Sequence, residues 1–499
     1  MIEQGLLFKE AEDSSWKVKD FSADHICQES ARKELEDRYW GITEVTEKFS
    51  RQSVSYQLSK KDRIHRWLKY KEGFSSDLVR TLLDDFHVTA GDTIMDPFMG
   101  SGTTALVAKM AGINSVGFDI LPISKVSILS KSNVFDYDIE ELNALLEDIR
   151  RLETPQGYSN VTRFVSTTED GYPEQTARDL AYFEEHFNAS NYSDEAKLLL
   201  KLCTLNTLES IGYSKKDGQY LRWDVRCPKI IRATEERLAK GKKPFVVQLN
   251  KGVLPTLKEA LLEEFSQIVE DITNIQQSGR PAISECRYIE GSALYELPRI
   301  DPDSISAVIS SPPYCNRYDY TRTYAMELAY LGADDAEIKR LRQALLSCTV
   351  ESKSKIQVLS DFYTSIDRQH DFDTVMQVIN TNSVLNEIIS ALKIRLDMGE
   401  INNKGVIPMV QGYFTELAFV FYELYRVCRN GAHVAFVNDN VRYAGEVIPV
   451  DYLTTMLAES FGFIPETVYT LKQQKGNSSQ QMKKYGKVSL RKSITIWRK

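Results

Sequence analysis

Short apolar runs alternate with amphipathic stretches along this chain, most regularly between residues 88 and 120. There an apolar run ending at Met95 predicts a strand, DPFMGSG a turn, and TTALVAKMA a short helix closed by Gly112. SVGF then predicts a second strand ending at Asp119. Strand, helix and strand in so short a span make a unit that returns to a parallel neighbour. A helical pattern follows at Glu140–Leu152, and mixed helical signals continue to residue 280. Strand patterns resume at CRYIEG and AVIS. Later, YFTELAFVFYELYRVC predicts a long helix ending at Asn430-Gly431, AHVAFVN a strand, and SITIW the last strand. Alternation at both ends of the chain predicts one α/β, doubly wound, Rossmann-like sheet interrupted by helical or mixed insertions.

The same pattern divides the chain. Residues 1–50 form a lead-in, 51–150 carry the glycine turn, and 151–280 form a first insertion. Residues 281–332 carry a proline pair, 333–404 form a second insertion, and 405–499 complete the sheet. At 499 residues, 42% hydrophobic and 26% charged, the composition is that of a globular protein with a large core. The most apolar segment, VIPMVQGYFTELAFVFYELYRVC, is interrupted by Gln411, Glu416 and Glu423, so it predicts a buried helix and no membrane span. The acidic start lacks a secretory pattern. Seven cysteines, none in a C-x-x-C pair or with zinc spacing, point to a reducing, cytoplasmic setting and no metal.

A net charge of −8 argues against a polyanion partner only on average. Lys472–Lys499 carries nine Lys or Arg residues and no acid, and residues 226–245 carry seven basic residues against two acidic ones. Both stretches suit a local nucleic-acid footprint as well as a solvated face.

In DPFMGSGTT, Gly100 and Gly102 permit close backbone approach to a ligand, and the helix from Thr103 directs unpaired N–H groups toward it. Asp119, at the tip of the next strand, is placed to accept from ribose hydroxyls. A phosphate-gripping P-loop is disfavoured, because no lysine follows the last glycine. A dinucleotide and S-adenosylmethionine both remain open on this turn alone.

SSPPY, at Ser310–Tyr314, decides between them. Tandem proline cannot continue a ladder and stiffens the backbone just after the strand Ala307–Ile309. An exocyclic base amine is a poor nucleophile, its lone pair being delocalised into the ring. Acceptors such as the Ser311 side chain and the Pro312 carbonyl can draw that nitrogen toward tetrahedral geometry. Pro313 keeps the corner rigid, and Tyr314 offers a stacking face. The base must first leave its helix stack to enter such a pocket.

DPFMGSGTT followed by SSPPY resembles the paired signatures of the DNA amino-methyltransferases, which modify cytosine N4 or adenine N6. IHRWLKYKEGFSSDLV (64–79) is similar to the family segment that helps to bind the methionine end of the donor, which implies roles for Lys71 and Phe74. VGFDI resembles the second motif, and YIEGSALYELP the third, with Ser292 near the adenine edge where many relatives have aspartate. The resemblance implies S-adenosyl-L-methionine held by Lys71, Phe74, Asp96, Pro97, Phe98, Gly100, Ser101, Gly102, Thr103, Asp119 and Ser292. It implies catalysis by Ser311, Pro312, Pro313 and Tyr314.

The serine opening SPPY is more typical of cytosine-N4 enzymes. The resemblance therefore implies methylation of cytosine N4 in duplex DNA, with a cognate restriction endonuclease as partner. Adenine-N6 methylation, RNA guanine-N2 methylation and a catalytically silent DNA-binding subunit are the alternatives. Target recognition is expected in 151–280, aided by 333–404. IGYSKKDGQYLRWD (211–224) has the mixture of cations and aromatics of a DNA-contacting loop or of a solvated hairpin. The basic C-terminal block is expected to track phosphates, with GNSSQQM supplying small and amide side chains. His65, Trp67 and Trp223 are expected to be structural. Asp319 and Arg322 are expected either to line the pocket or to pair with each other.

Overall fold

The computed structural model describes residues 16–217, 220–244, 249–472, 484–486 and 488–499. Its strands are β1 (Thr43–Thr46), β2 (Thr93–Asp96), β3 (Asn114–Asp119), β4 (Ser214–Asp217), β5 (Tyr220–Trp223), β6 (Cys286–Glu290), β7 (Ile305–Ser310), β8 (Cys428–Asp439), β9 (Val441–Tyr443), β10 (Glu446–Ile448), β11 (Ile464–Leu471) and β12 (Lys492–Arg498). Eight of them form one sheet in the order β1-β11-β12-β8-β7-β2-β3-β6. All neighbours are parallel except β12, which runs antiparallel to both β11 and β8. The α/β, Rossmann-like architecture read from the pattern is the one observed.

The chain leaves β2 toward β3 and β6 on one side, and leaves β7 toward β8 on the other. The strand order thus reverses between β2 and β7, and such a switch point opens a crevice at the carboxyl ends of the strands. Both strands are sandwiched. Ile94, Ala307 and Ile309 pack with Leu78, Leu82 and Val107 on one face. Met95 and Val308 pack with Leu417 and Phe421 of the Val406–Val427 helix on the other. The two-residue period of a strand sends these neighbours to opposite sides, and burial on both faces explains the near-continuous apolar run in β7.

One boundary differs from expectation. The long helix stops at Val427 and β8 begins at Cys428, so Asn430-Gly431 lies inside the strand. Cys428 already pairs with Ile305, and the register shifts before Ala307 pairs with His433. Gly431, at φ 81°, belongs to the irregularity that absorbs the extra residues.

Residues 151–280 contribute the helices Glu174–Asn188, Asp194–Ile211, Pro228–Ala239 and Leu257–Gln277 and the β4–β5 hairpin. Leu199, Cys203, Leu261 and Phe265 share a second core with Leu142 and Leu145. The Ser383–Asp397 helix of the other insertion is tied to the body through buried Arg395, which pairs with Asp24 and with Glu446 at 2.7 Å.

Candidate active site

The two motifs meet at the switch point. Ile94 pairs with Ala307 and Met95 with Val308, so the glycine turn and the proline corner leave adjacent strand ends. The Ser310 hydroxyl donates to the Asp96 carboxylate at 2.6 Å, and the Thr104 hydroxyl donates to the Ile309 carbonyl at 3.2 Å. Above this seam lies an open cleft. Pro97, Phe98, Gly100, Ser101 and Thr103 line one side, Ser311 and Pro313 another, with Phe74, Asp119 and Ser292 completing the wall.

Each part has a local cause. Gly100 (φ 53°) and Gly102 (φ 84°) adopt the left-handed backbone that turns β2 into the Thr103–Met110 helix. A Cβ on Gly100 would lie 3.0 Å from the Tyr70 ring, and one on Gly102 would lie 2.7 Å from Ile128. The turn is therefore closed to larger residues from both sides. Asp119 accepts from the Gly100 N–H at 2.8 Å and the Leu121 N–H at 2.9 Å, which fixes its carboxylate at the cleft wall. Burial raises its pKa while these N–H donors oppose the shift. Asp96 lies beneath the cleft, and burial raises its pKa to about 6 against the bond from Ser310. Ser292 caps the short Ala293–Glu296 helix.

Not every expected residue faces the cleft. The Lys71 ammonium turns away and donates to the Lys216 carbonyl at 2.5 Å, because its neighbours Tyr70 and Glu72 take the wall instead. Gly102 and Pro312 are not among the residues that line the cleft. Tyr314 lies at the corner, where its hydroxyl accepts from Ser311 at 3.1 Å and the Lys492 ammonium sits 5.1 Å from its ring centroid. Asp319 pairs with Arg322 at 3.2 Å and with Arg342 at 2.8 Å, so it serves local structure. His65 is buried, with its pKa lowered to about 3 by desolvation. Trp67 is buried and its indole N–H donates to Asp271 at 3.0 Å. Lys229 lies 3.2 Å over the Trp223 ring.

Several site groups escaped sequence reading. Tyr70 stacks on Tyr324 at 5.1 Å between centroids, and the Tyr318 and Tyr324 hydroxyls both donate to Glu72. The tyrosine density of YCNRYDYTRTY was the available signal. Nothing local marked Lys131, a buried lysine whose ammonium donates to the Ser101 carbonyl at 3.2 Å from beneath the glycine turn. Nothing marked Lys492 either, since it reaches Tyr314 from the last strand.

In the basic C-terminal block most of the described cations are met by acids. Among its described residues, Lys472 pairs with Glu47, Lys484 with Glu400, Arg491 with Glu36 and Asp451, Arg498 with Glu466 and Lys499 with Asp303. The acids come from distant segments. The stretch GNSSQQM lies outside the described residues.

A family model described as DNA methylase matches residues 6–124. Across 490 residues the chain is 52% identical to Type II methyltransferase M.BsoBI of Geobacillus stearothermophilus, covering 98% of this chain and 96% of that protein. The chain belongs to the DNA amino-methyltransferase family. It is 36% identical over 488 residues to Type II methyltransferase M.AvaI of Nostoc sp., covering 96% of each chain. With M.MjaII of Methanocaldococcus jannaschii the likeness is 40% over 95 residues, 18% of this chain and 17% of that one. No solved structure matches. The amino-methyltransferase is thus a Type II DNA methyltransferase of the N4/N6 group, and its family implies S-adenosylmethionine as methyl donor. Among the described residues, no helix of this amino-methyltransferase is long and apolar enough to cross a membrane.

Proposed function

We propose that this methyltransferase acts on the N4 amine of cytosine in a short duplex DNA sequence, within a cytoplasmic restriction-modification pair. The observation that carries the reading is the state of Ser311. Its hydroxyl lies on the cleft wall, 3.1 Å from the Tyr314 hydroxyl, where the oxygen can accept from an amine N–H, and a serine opening this motif is the form that the family resemblance associates with cytosine N4.

The residues fit the donor. Asp119 spends one lone pair of each oxygen on backbone N–H groups and keeps others for ribose hydroxyls. The N–H groups at the start of the Thr103–Met110 helix suit a carboxylate, while Phe74, Pro97, Phe98 and Ser292 supply the wall for the rest. Bound S-adenosylmethionine supplies an electrophilic methyl on a sulfonium. The chain's own work is to hold the amine. Ser311 and the Pro312 carbonyl accept its two N–H bonds, the Tyr314 ring stacks on the base, and the prolines keep both acceptors from relaxing. The nitrogen lone pair would form the new C–N bond as the methyl C–S bond breaks and its electron pair returns to sulfur, leaving a neutral thioether, and the amine would then release one proton to solvent. No covalent base adduct is needed, and positioning provides most of the rate.

Nucleoside analysis of duplex DNA methylated by the protein should show N4-methylcytosine. N6-methyladenine alone would overturn the base assignment, and label confined to transfer RNA would replace the DNA substrate. Tyr314→Ala should lower kcat about 100-fold with donor Kd unchanged by calorimetry. Asp119→Ala should instead weaken donor binding about 10- to 100-fold, the loss of a charge-assisted hydrogen-bond partner. Full turnover by Tyr314→Ala would remove the stacking role.

A further inference from the structure

The Pro228–Ala239 helix stands out because none of its twelve residues is buried. Ile231 and Leu238, two turns apart on one face, are 45% and 54% exposed. A helix of this length is marginal alone, so it needs either packing or a partner. Among the described residues, its start is tied to the body, and Arg237 in its last turn donates to the Lys243 carbonyl at 3.2 Å. Cys227 donates to the Asp170 carbonyl at 3.3 Å, Lys229 to the Thr167 carbonyl at 2.5 Å, and Arg232 pairs with Asp170 at 2.6 Å. Beyond Arg232 the helix runs along the surface and ends in exposed Lys240, Lys242 and Lys243. Residues 226–245 carry seven basic side chains against two acidic ones in a chain of net charge −8. Among the described residues, these three lysines, unlike the described cations of the C-terminal block, meet no acid from a distant segment; Lys240 reaches Glu236, at 3.9 Å on its own helix.

The helix is also carried by a part bolted to the cleft. It follows the β4–β5 hairpin, whose buried Lys216 pairs with Glu327 and lies 4.4 Å from the Tyr324 ring centroid. Tyr324 stacks on Tyr70, a wall of the cleft, and Lys71 donates to the Lys216 carbonyl. A polyanion held by this helix is therefore held in fixed relation to the proline corner.

We infer that the Pro228–Ala239 helix and the Lys240–Lys243 turn form a docking surface for duplex DNA, which sets the position of the target base over the cleft. The lysines meet phosphates, and the face bearing Ile231, Glu235 and Leu238 turns to the groove. At about 1.5 Å per residue the helix spans roughly 18 Å and is about 10–12 Å across, a width that the major groove of about 12 Å admits. Complementary charge and the uncovered apolar face select this occupant. The inference rests on DNA being the substrate.

The test compares the full-length protein with its Lys240→Ala/Lys242→Ala/Lys243→Ala variant. Binding to a labelled duplex is followed by anisotropy between 50 and 200 mM salt, and methyl transfer is scored separately. Removing three phosphate contacts should reduce the slope of log K against log salt by about 2.7 and weaken binding at least about tenfold, with donor Kd unchanged. An unchanged slope and affinity in the variant, while duplex DNA is still methylated, would overturn the surface and spare the function. Loss of slope in a protein that transfers no methyl to DNA would spare the surface and overturn the function. Wild-type binding to phosphatidylserine vesicles but not to duplex would assign the helix to a membrane and overturn the inference.

Discussion

Burial sets the charge of two groups beneath the cleft. Lys131 has its pKa lowered from 10.5 to about 7 by desolvation alone, and Asp96 has its pKa raised from 3.8 to about 6 by desolvation first. Both sites favour the neutral form. For Lys131 the unfolded chain binds more protons than the folded one between about pH 7 and 10.5, so its contribution to stability rises with pH across that window. For Asp96 the folded chain holds the extra proton between about pH 3.8 and 6, so its contribution rises as pH falls through that range. Lys131→Met should therefore gain Tm relative to wild type at pH 7, and that gain should shrink steadily toward pH 10. Calorimetry over that range decides it, and a gap independent of pH would show that the ammonium is not desolvated as described. His65, whose pKa is lowered from 6.5 to about 3 by desolvation, is neutral in the folded chain while the unfolded chain still binds its proton, so its contribution to stability rises with pH between about 3 and 6.5.

At the scale of elements, the glycine turn is the most constrained connection in the site. Gly102 combines φ 84° with a 2.7 Å approach to Ile128 for any added Cβ. Gly102→Ala should cost about 1–3 kcal/mol and weaken the donor, since the helix start and the cleft wall share this turn. Adding Ile128→Ala should restore part of the stability, because it relieves the clash and leaves the backbone strain. Paired denaturation curves and donor titrations measure both terms. If the second change recovered nothing, the close approach would not be the cause. The β7–β8 pair shows the opposite tolerance. There the sheet accommodates Arg429, Asn430 and Gly431 by a shift in register, because Ala307 through Ser310 still find partners beyond it.

At the scale of the molecule, long-range ion pairs assemble the sheet edge. Arg491 is 1% exposed and joins Glu36 of the Ser30–Trp40 helix to Asp451 of the Val450–Ser460 helix, beside β12. Arg491→Met would leave two carboxylates buried without their cation and should cost about 3–5 kcal/mol. Arg491→Met with Glu36→Gln and Asp451→Asn should recover much of that loss, because the uncompensated charges go with the cation. Urea denaturation of the two variants provides the comparison; equal losses would mean that packing of the arginine, not its charge, holds the edge. The same assembly explains the fate of the C-terminal cations, each described one being met by an acid or by Tyr314.

The sequence by itself determined what depends on neighbours in the chain. The β2-turn-helix-β3 unit, the proline corner and the family were legible because strand period, left-handed glycines and tandem proline act within a few residues of one another. Asp119 was legible for the same reason, as the tip of the next strand. Tertiary structure alone decided which of these pieces touch. Asp96 meets Ser310 across 214 positions, Lys492 reaches Tyr314 from the last strand, and Lys71 turns toward the hairpin because Tyr70 and Glu72 occupy the wall. It also decided which basic runs keep their charge facing outward. A run of cations in sequence states only that charge is present; its partners are chosen by the fold, which brings Glu36, Glu466 and Asp303 to the C-terminal block and, among the described residues, brings no distant acid to Lys240, Lys242 and Lys243.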